Sequence, residues 1–142
     1  MQEWTQYSRD DLVEMLRAHG INPTHQRIEI AHALYARCGH LSADQVLALV
    51  NERHPETSRA TVYNTLNLFV QRRMIREVIA DPSKVFYDPN TRPHYHLYDV
   101  RTGELTDIDA QGVEVSGLPA LPEGVVTEGV DIILRVRSPE LA

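Results

Sequence analysis

The chain has one cysteine in 142 residues, Cys38, and that scarcity removes two architectures at once. No intrachain disulfide framework can form and no cysteine-only zinc cage can be built, so any metal site must draw on His, Asp and Glu. Long apolar runs are missing as well. Nothing in the sequence approaches the ~18 apolar residues that a membrane span needs, and the opening M-Q-E-W-T-Q-Y has neither the basic nor the apolar region of a secretory signal. These absences lead to the expectation of a cytoplasmic protein with no membrane partner. Positive charge is not in excess either. The formal net charge is -6, which on its face argues against a polyanionic ligand.

That imbalance is local. Met1 to Val85 carries ten basic and ten acidic residues, whereas Phe86 to Ala142 carries four basic and ten acidic, so the second stretch alone supplies the difference of six. Within the first, Thr57 to Arg76 holds Arg59, Arg72, Arg73 and Arg76 and no acid. A local basic surface therefore survives overall neutrality.

The neutral part reads as four helices and a hairpin. Ser8 precedes a first helix with Asp10 and Asp11 in its first turn, apolar Leu12, Met15 and Leu16, and a stop at Gly20. Thr24 caps a second, with Ile28, Ala31, Leu34 and Tyr35 on one face. Ser42 opens a third with Gln45 at the position of a capping box, and Pro55 ends it. The fourth, S-R-A-T-V-Y-N-T-L-N-L-F-V-Q-R-R-M-I, buries Val62, Leu66, Phe69 and Val70 and presents Ser58, Arg59, Thr61, Tyr63, Asn64 and Asn67 near its start. Those groups can meet phosphates and base edges. With the D-P-S-K hairpin that follows, the pattern predicts a winged helix-turn-helix; a small helical bundle that meets no DNA shares it.

After Asp88 the chemistry changes. D-P-N-T-R-P is a turn-rich hinge, and H-Y-H places His94 and His96 on one face of a strand, the spacing of a metal pair and equally of two surface histidines. A turn at Thr102 and Gly103 leads to E-L-T-D-I-D. A final strand, whole or broken at Gly129, is predicted in G-V-V-T-E-G-V-D-I-I-L-R-V-R, with Val130, Ile132, Leu134 and Val136 alternating against Asp131, Ile133, Arg135 and Arg137. The stretch 111–124 has no clear pattern. The expected class is α+β: a winged helix-turn-helix at 1–87, a hinge at 88–93 and a small α/β dimerisation domain at 94–142, too small to finish its burial without a second copy.

T-H-Q-R, H-L-S-A-D, S-R-A-T-V-Y-N-T-L and F-Y-D-P-N-T-R-P-H-Y-H, in this order and spacing, resemble the ferric uptake regulator family of bacterial metal-sensing repressors. The resemblance covers about Leu12 to Arg137. It implies a homodimer that binds a double-stranded operator with inverted-repeat symmetry, and a single regulatory divalent metal per subunit. By match to the peroxide-sensing branch the ligands are His40, Asp88, His94, His96 and Asp107. Such a set suits Fe(II) or Mn(II), and Zn(II) by affinity alone. Tyr63 is implied as a base contact, supported by Ser58, Arg59, Thr61 and Asn64, with Arg17 reaching a minor groove. His19, His25, His32 and His54 match no ligand and are expected at surface or capping positions.

The departures are also informative. Asp99 and Thr102 stand where relatives carry the first cysteine pair, and the tail has no cysteine, so no structural zinc is expected. The last strand lacks the histidine of a further sensing site. Absent cysteine pairs, L-P-E-G and I-I-L-R-V-R resemble the iron response regulator branch, whose members are described as sensing iron through haem, although that branch has a longer histidine run. Peroxide or metal sensing and iron or haem response both stay open, as does a metal-independent DNA-binding protein. A catalytic metal would leave A-T-V-Y-N-T-L unexplained and finds no general base, so the chain is not read as an enzyme.

Overall fold

The structure is a computed structural model, and it describes residues 7–36 and 39–140. Cys38 and the opening stretch 1–6 lie outside the described residues. The chain forms two compact units, one ending at Thr91 and the other beginning at Arg92.

The first unit contains α1 (Arg9–Ala18), α2 (His25–Tyr35), α3 (Ala43–Arg53) and α4 (Arg59–Gln71), followed by β1 (Arg76–Asp81) and β2 (Lys84–Asp88). Every helix starts on a hydroxyl cap. Ser8, Thr24, Ser42 and Ser58 each accept a hydrogen bond from the backbone N–H three residues on, and Asp11 and Gln45 return it to complete capping boxes at α1 and α3. Each cap contributes about 1 kcal/mol by satisfying a donor that the first turn leaves unpaired.

Two helices stop in the same way with different residues. At the end of α1 the N–H of Gly20 donates to Arg17 O and that of Ile21 to Leu16 O; at the end of α4 the N–H of Arg73 donates to Val70 O and that of Met74 to Phe69 O. Both are Schellman closures, which need a left-handed residue at the first position after the cap. Gly20 takes φ 71° without strain, whereas Arg73 takes φ 61° with a side chain.

The core gathers Leu12 and Leu16 of α1, Val46 and Val50 of α3, and Val62, Leu66 and Phe69 of α4 around α2. Helix α2 buries Ile30 and Ala33 besides the expected Ile28, Ala31, Leu34 and Tyr35. It packs against α1, α3 and α4, so a single apolar stripe would not cover its neighbours. On α4 the inward row is Val62, Thr65, Leu66 and Phe69, with Val70 only half-buried. The wing is an antiparallel pair with Arg76 opposite Asp88 and an irregularity between Ile79 and Asp81; the Asp81 carboxylate accepts from the Ser83 N–H and hydroxyl, both at 2.8 Å, and so shapes the turn.

The second unit is a three-stranded sheet ordered β4-β3-β5, in which β3 (His94–Asp99) pairs antiparallel with β4 (Leu105–Asp109) and parallel with β5 (Ile133–Val136). Its helical content among the described residues is one 3-10 turn, Ala110–Gly112. The predicted final strand is shortened: only Ile133 to Val136 joins the sheet, and Val130 lies outside any strand. Leu134, expected in the apolar row, is 54% exposed and Val126 is 81% exposed. Alternation predicts a half-buried strand only where something covers its apolar side. No described helix is long and apolar enough to cross a membrane.

Candidate metal centre

In the first unit the wing positions a histidine and an aspartate. Leu41 forms an isolated antiparallel bridge with Tyr87, their N–H groups donating to each other's carbonyls at 3.3 and 2.7 Å. That bridge sets the preceding His40 beside the following Asp88, with Nε2 3.1 Å from Oδ2. Both side chains are buried, and the other Asp88 oxygen accepts the Asn90 N–H at 2.9 Å. Asp88 is 2% exposed, and burying a carboxylate costs free energy that such donors or a cation offset.

In the second unit the period of a strand and the register of its partner do the same work. His94, His96 and Tyr98 form the buried row of β3, and the His94 and His96 rings meet edge to face with centroids 4.6 Å apart. Asp107 is directly opposite His96 across the β3 and β4 ladder. Its Oδ1 lies 3.5 Å from His94 Nε2 and 3.7 Å from His96 Nε2. A backbone carbonyl only accepts, so the 2.6 Å contact between His94 Nδ1 and Arg92 O puts a ring proton on Nδ1 and turns Nε2 toward the carboxylate. Two imidazoles and a carboxylate converging on one point fit a borderline divalent cation.

The amino-acid pattern named these ligand types but not the groups that aim them. The Arg92 carbonyl and the Asn90 N–H belong to the D-P-N-T-R-P segment, which reads in sequence only as a hinge. Its two prolines, which restrict the backbone on either side, are the available signal.

The expected DNA-facing residues divide. Arg17, Ser58, Arg59, Tyr63 and Asn64 are exposed, as is Asn67, and Tyr63 shows 40% of its surface. Thr61 is half-buried, and its hydroxyl is 2.9 Å from that of Ser58. It belongs to the start of α4 as much as to the outer face. Arg59 pairs with Asp44 of α3. Of the histidines expected at capping positions, His19 and His54 are the C-caps of α1 and α3, and His19 Nδ1 is 2.8 Å from Met15 O.

The ferric uptake regulator family model matches residues 18–133, which is most of the chain. The chain belongs to this family. Its members are transcription factors, not enzymes. A peroxide-responsive repressor, PerR, of Staphylococcus epidermidis is 30% identical over 98 residues, covering 69% of this chain; the match spans 65% of the length of that relative. Among solved structures, the ferric uptake regulator of Pseudomonas aeruginosa with manganese superposes with a TM-score of 0.67 at 24% identity, covering 89% of this chain and 97% of that one. The Helicobacter pylori ferric uptake regulator gives 0.69 at 18% identity, with 97% and 95% covered. At these identities the likeness establishes the shared fold.

Proposed function

We propose that this family member is a metal-dependent, dimeric DNA-binding regulator, a repressor by kinship, in which one divalent ion is held by His40 and Asp88 of the first unit together with His94, His96 and Asp107 of the second. The observation that carries the reading is the arrangement of His94 and His96 with Nε2 toward Asp107, the His94 ring oriented by the Arg92 carbonyl. The first unit offers two donors and the second three, and neither set alone fills a five- or six-coordinate shell.

The chain's own residues supply the coupling. His40 follows α2 and precedes α3, and Asp88 ends the wing, so both belong to the body that carries α4. His94, His96 and Asp107 belong to the sheet. Joining the two donor sets restricts residues 89–93 and fixes the spacing at which two copies of α4 meet adjacent major grooves of an inverted-repeat operator. On α4, Tyr63 takes the base contact in this reading, supported by Ser58, Arg59, Thr61 and Asn64, and Arg17, exposed near the end of α1, reaches a minor groove.

Bound Fe(II) would supply the redox chemistry by which peroxide oxidises a ligand histidine, His40 or His94, whereas Mn(II) would supply binding without it. The kinship with peroxide-responsive repressors at 30% identity supports this signal over iron or haem response. The test is anaerobic binding of the full chain to its own upstream DNA, loaded with Fe(II) or Mn(II), before and after stoichiometric peroxide. Loss confined to the Fe(II) protein and not restored by fresh Fe(II) is expected. Equal behaviour of both loaded forms would overturn the peroxide reading, and undiminished binding by His96→Ala with Mn(II) would overturn metal dependence itself.

A further inference from the structure

A second group of side chains able to ligate a metal lies in the first unit and shares no residue with the centre above. His25, the first residue of α2, and Glu29, one turn later, share a face of that helix, as residues four apart do. His54, the C-cap of α3, reaches the same point. One nitrogen of each histidine and one oxygen of Glu29 all lie within 4.8 Å of one another. His54 Nε2 is 3.4 Å from Glu29 Oε2, and the His25 and His54 rings stand edge to face with centroids 4.8 Å apart.

We propose that His25, Glu29 and His54 form a zinc-class site, in which a borderline divalent cation takes two imidazoles, one carboxylate and a water. Two histidines and a glutamate with one open position are a recurrent tetrahedral donor set for such ions. Zinc bonds of about 2.0–2.2 Å require donors roughly 3.3 Å apart, so the present separations close with side-chain rotations alone. The ring of His54 is already turned for this. Its Nδ1 faces Glu56 Oε1 at 3.8 Å, leaving Nε2 toward Glu29, the carboxylate, histidine and metal order found around bound zinc. The positive end of α2 opposes a cation here, and the negative end of α3, which His54 caps, offsets it.

Arg9 is the internal competitor. Its guanidinium lies 3.7 Å from Glu29 Oε1 and 3.4 Å from His25 Nδ1, and its side chain is 57% exposed, so it can withdraw into solvent. Binding would replace that mobile cation with a fixed one, joining the first turn of α2 to the end of α3. The chain between His54 and Ser58 leads directly into α4, so the ion braces the turn that sets the recognition helix.

The experiment is zinc titration of the full chain against a competing chelator. Two equivalents per subunit are expected, one lost in His25→Ala and the other in His96→Ala. Because His25 is exposed at the helix start, its replacement spares the core. Arg9→Ala provides the decisive arm: removal of a merely structural ion pair leaves zinc affinity unchanged, whereas removal of a competing cation tightens it several-fold at the equivalent that His25→Ala abolishes. Unchanged zinc stoichiometry in His25→Ala, or unchanged affinity in Arg9→Ala, would overturn the site. Failure of the regulatory centre appears separately, in the His96→Ala arm.

Discussion

Single residues in this chain take their roles from what surrounds them more than from their type. His94 and His96 are legible because strand periodicity alone puts them together, and Asp107 is found only through the family pattern. Asp99 is legible merely as a position without cysteine. The structure gives it a positive role: its Oδ1 accepts from the N–H groups of Arg101 at 2.9 Å, Thr102 at 3.4 Å and Ser138 at 3.4 Å, so the β3 to β4 turn is tied to the chain that follows β5. Arg101 Nε donates to the Ser138 hydroxyl at 2.8 Å and closes the knot. The Ser138 side chain, followed by the backbone donors, holds the Asp99 carboxyl at about 2, below its ordinary 3.8. A carboxyl depressed on folding adds stability above its unfolded value, and that contribution disappears as pH falls through the folded one. The second unit is therefore expected to lose thermal stability between about pH 4 and pH 2, and Asp99→Asn should lower the melting temperature at neutral pH while flattening that acid limb. A variant that keeps the full acid dependence in a scanned melting series would show that the knot does not carry it.

Elements are easiest to read where local chemistry and tertiary burial agree. The four hydroxyl caps and the 3.6-residue apolar rows identify all four helices, because each cap satisfies its own helix and each row meets another row of the same unit. The end of α4 is less legible, since a left-handed Arg73 gives no glycine signal. On the outer face of α4, Arg59 is held by Asp44 in the free protein and must exchange that carboxylate for phosphate to serve DNA binding. An exposed pair of this kind is worth little, so the exchange is favourable on a polyanion. Arg59→Ala should therefore reduce the slope of log affinity against log salt by about 0.9, because one phosphate is no longer neutralised, as measured by fluorescence anisotropy across a salt series. Asp44→Ala should leave the slope intact and strengthen binding modestly. An unchanged slope in Arg59→Ala would remove that residue from the interface.

At the scale of the whole molecule the two units are unequal in how much they bury. The first carries a continuous core from Leu12 to Tyr87, while the buried apolar residues of the second are Tyr98 and Leu105 among those described. Leu118, Leu121, Val125, Val126, Val130 and Leu134 of the second unit are all exposed. That inequality goes with the overstated final strand: its alternating residues are patterned for burial, yet Val130 and Leu134 are exposed. On the dimeric reading proposed above, a second copy covers them with the symmetry that an inverted-repeat operator would also require. Leu134 tests the point because it lies on the edge strand β5, outside the unit's own core. On that reading a symmetric interface would contain Leu134 twice, and burying a leucine is worth roughly 1.5–3 kcal/mol. Leu134→Glu is accordingly expected to weaken dimerisation about 100-fold or more in sedimentation equilibrium, with operator affinity falling in parallel. The first unit should melt as before, because none of its core residues changes. A variant that remains dimeric at wild-type concentrations would place the covering surface elsewhere, on the exposed segment 118–130 that precedes the strand.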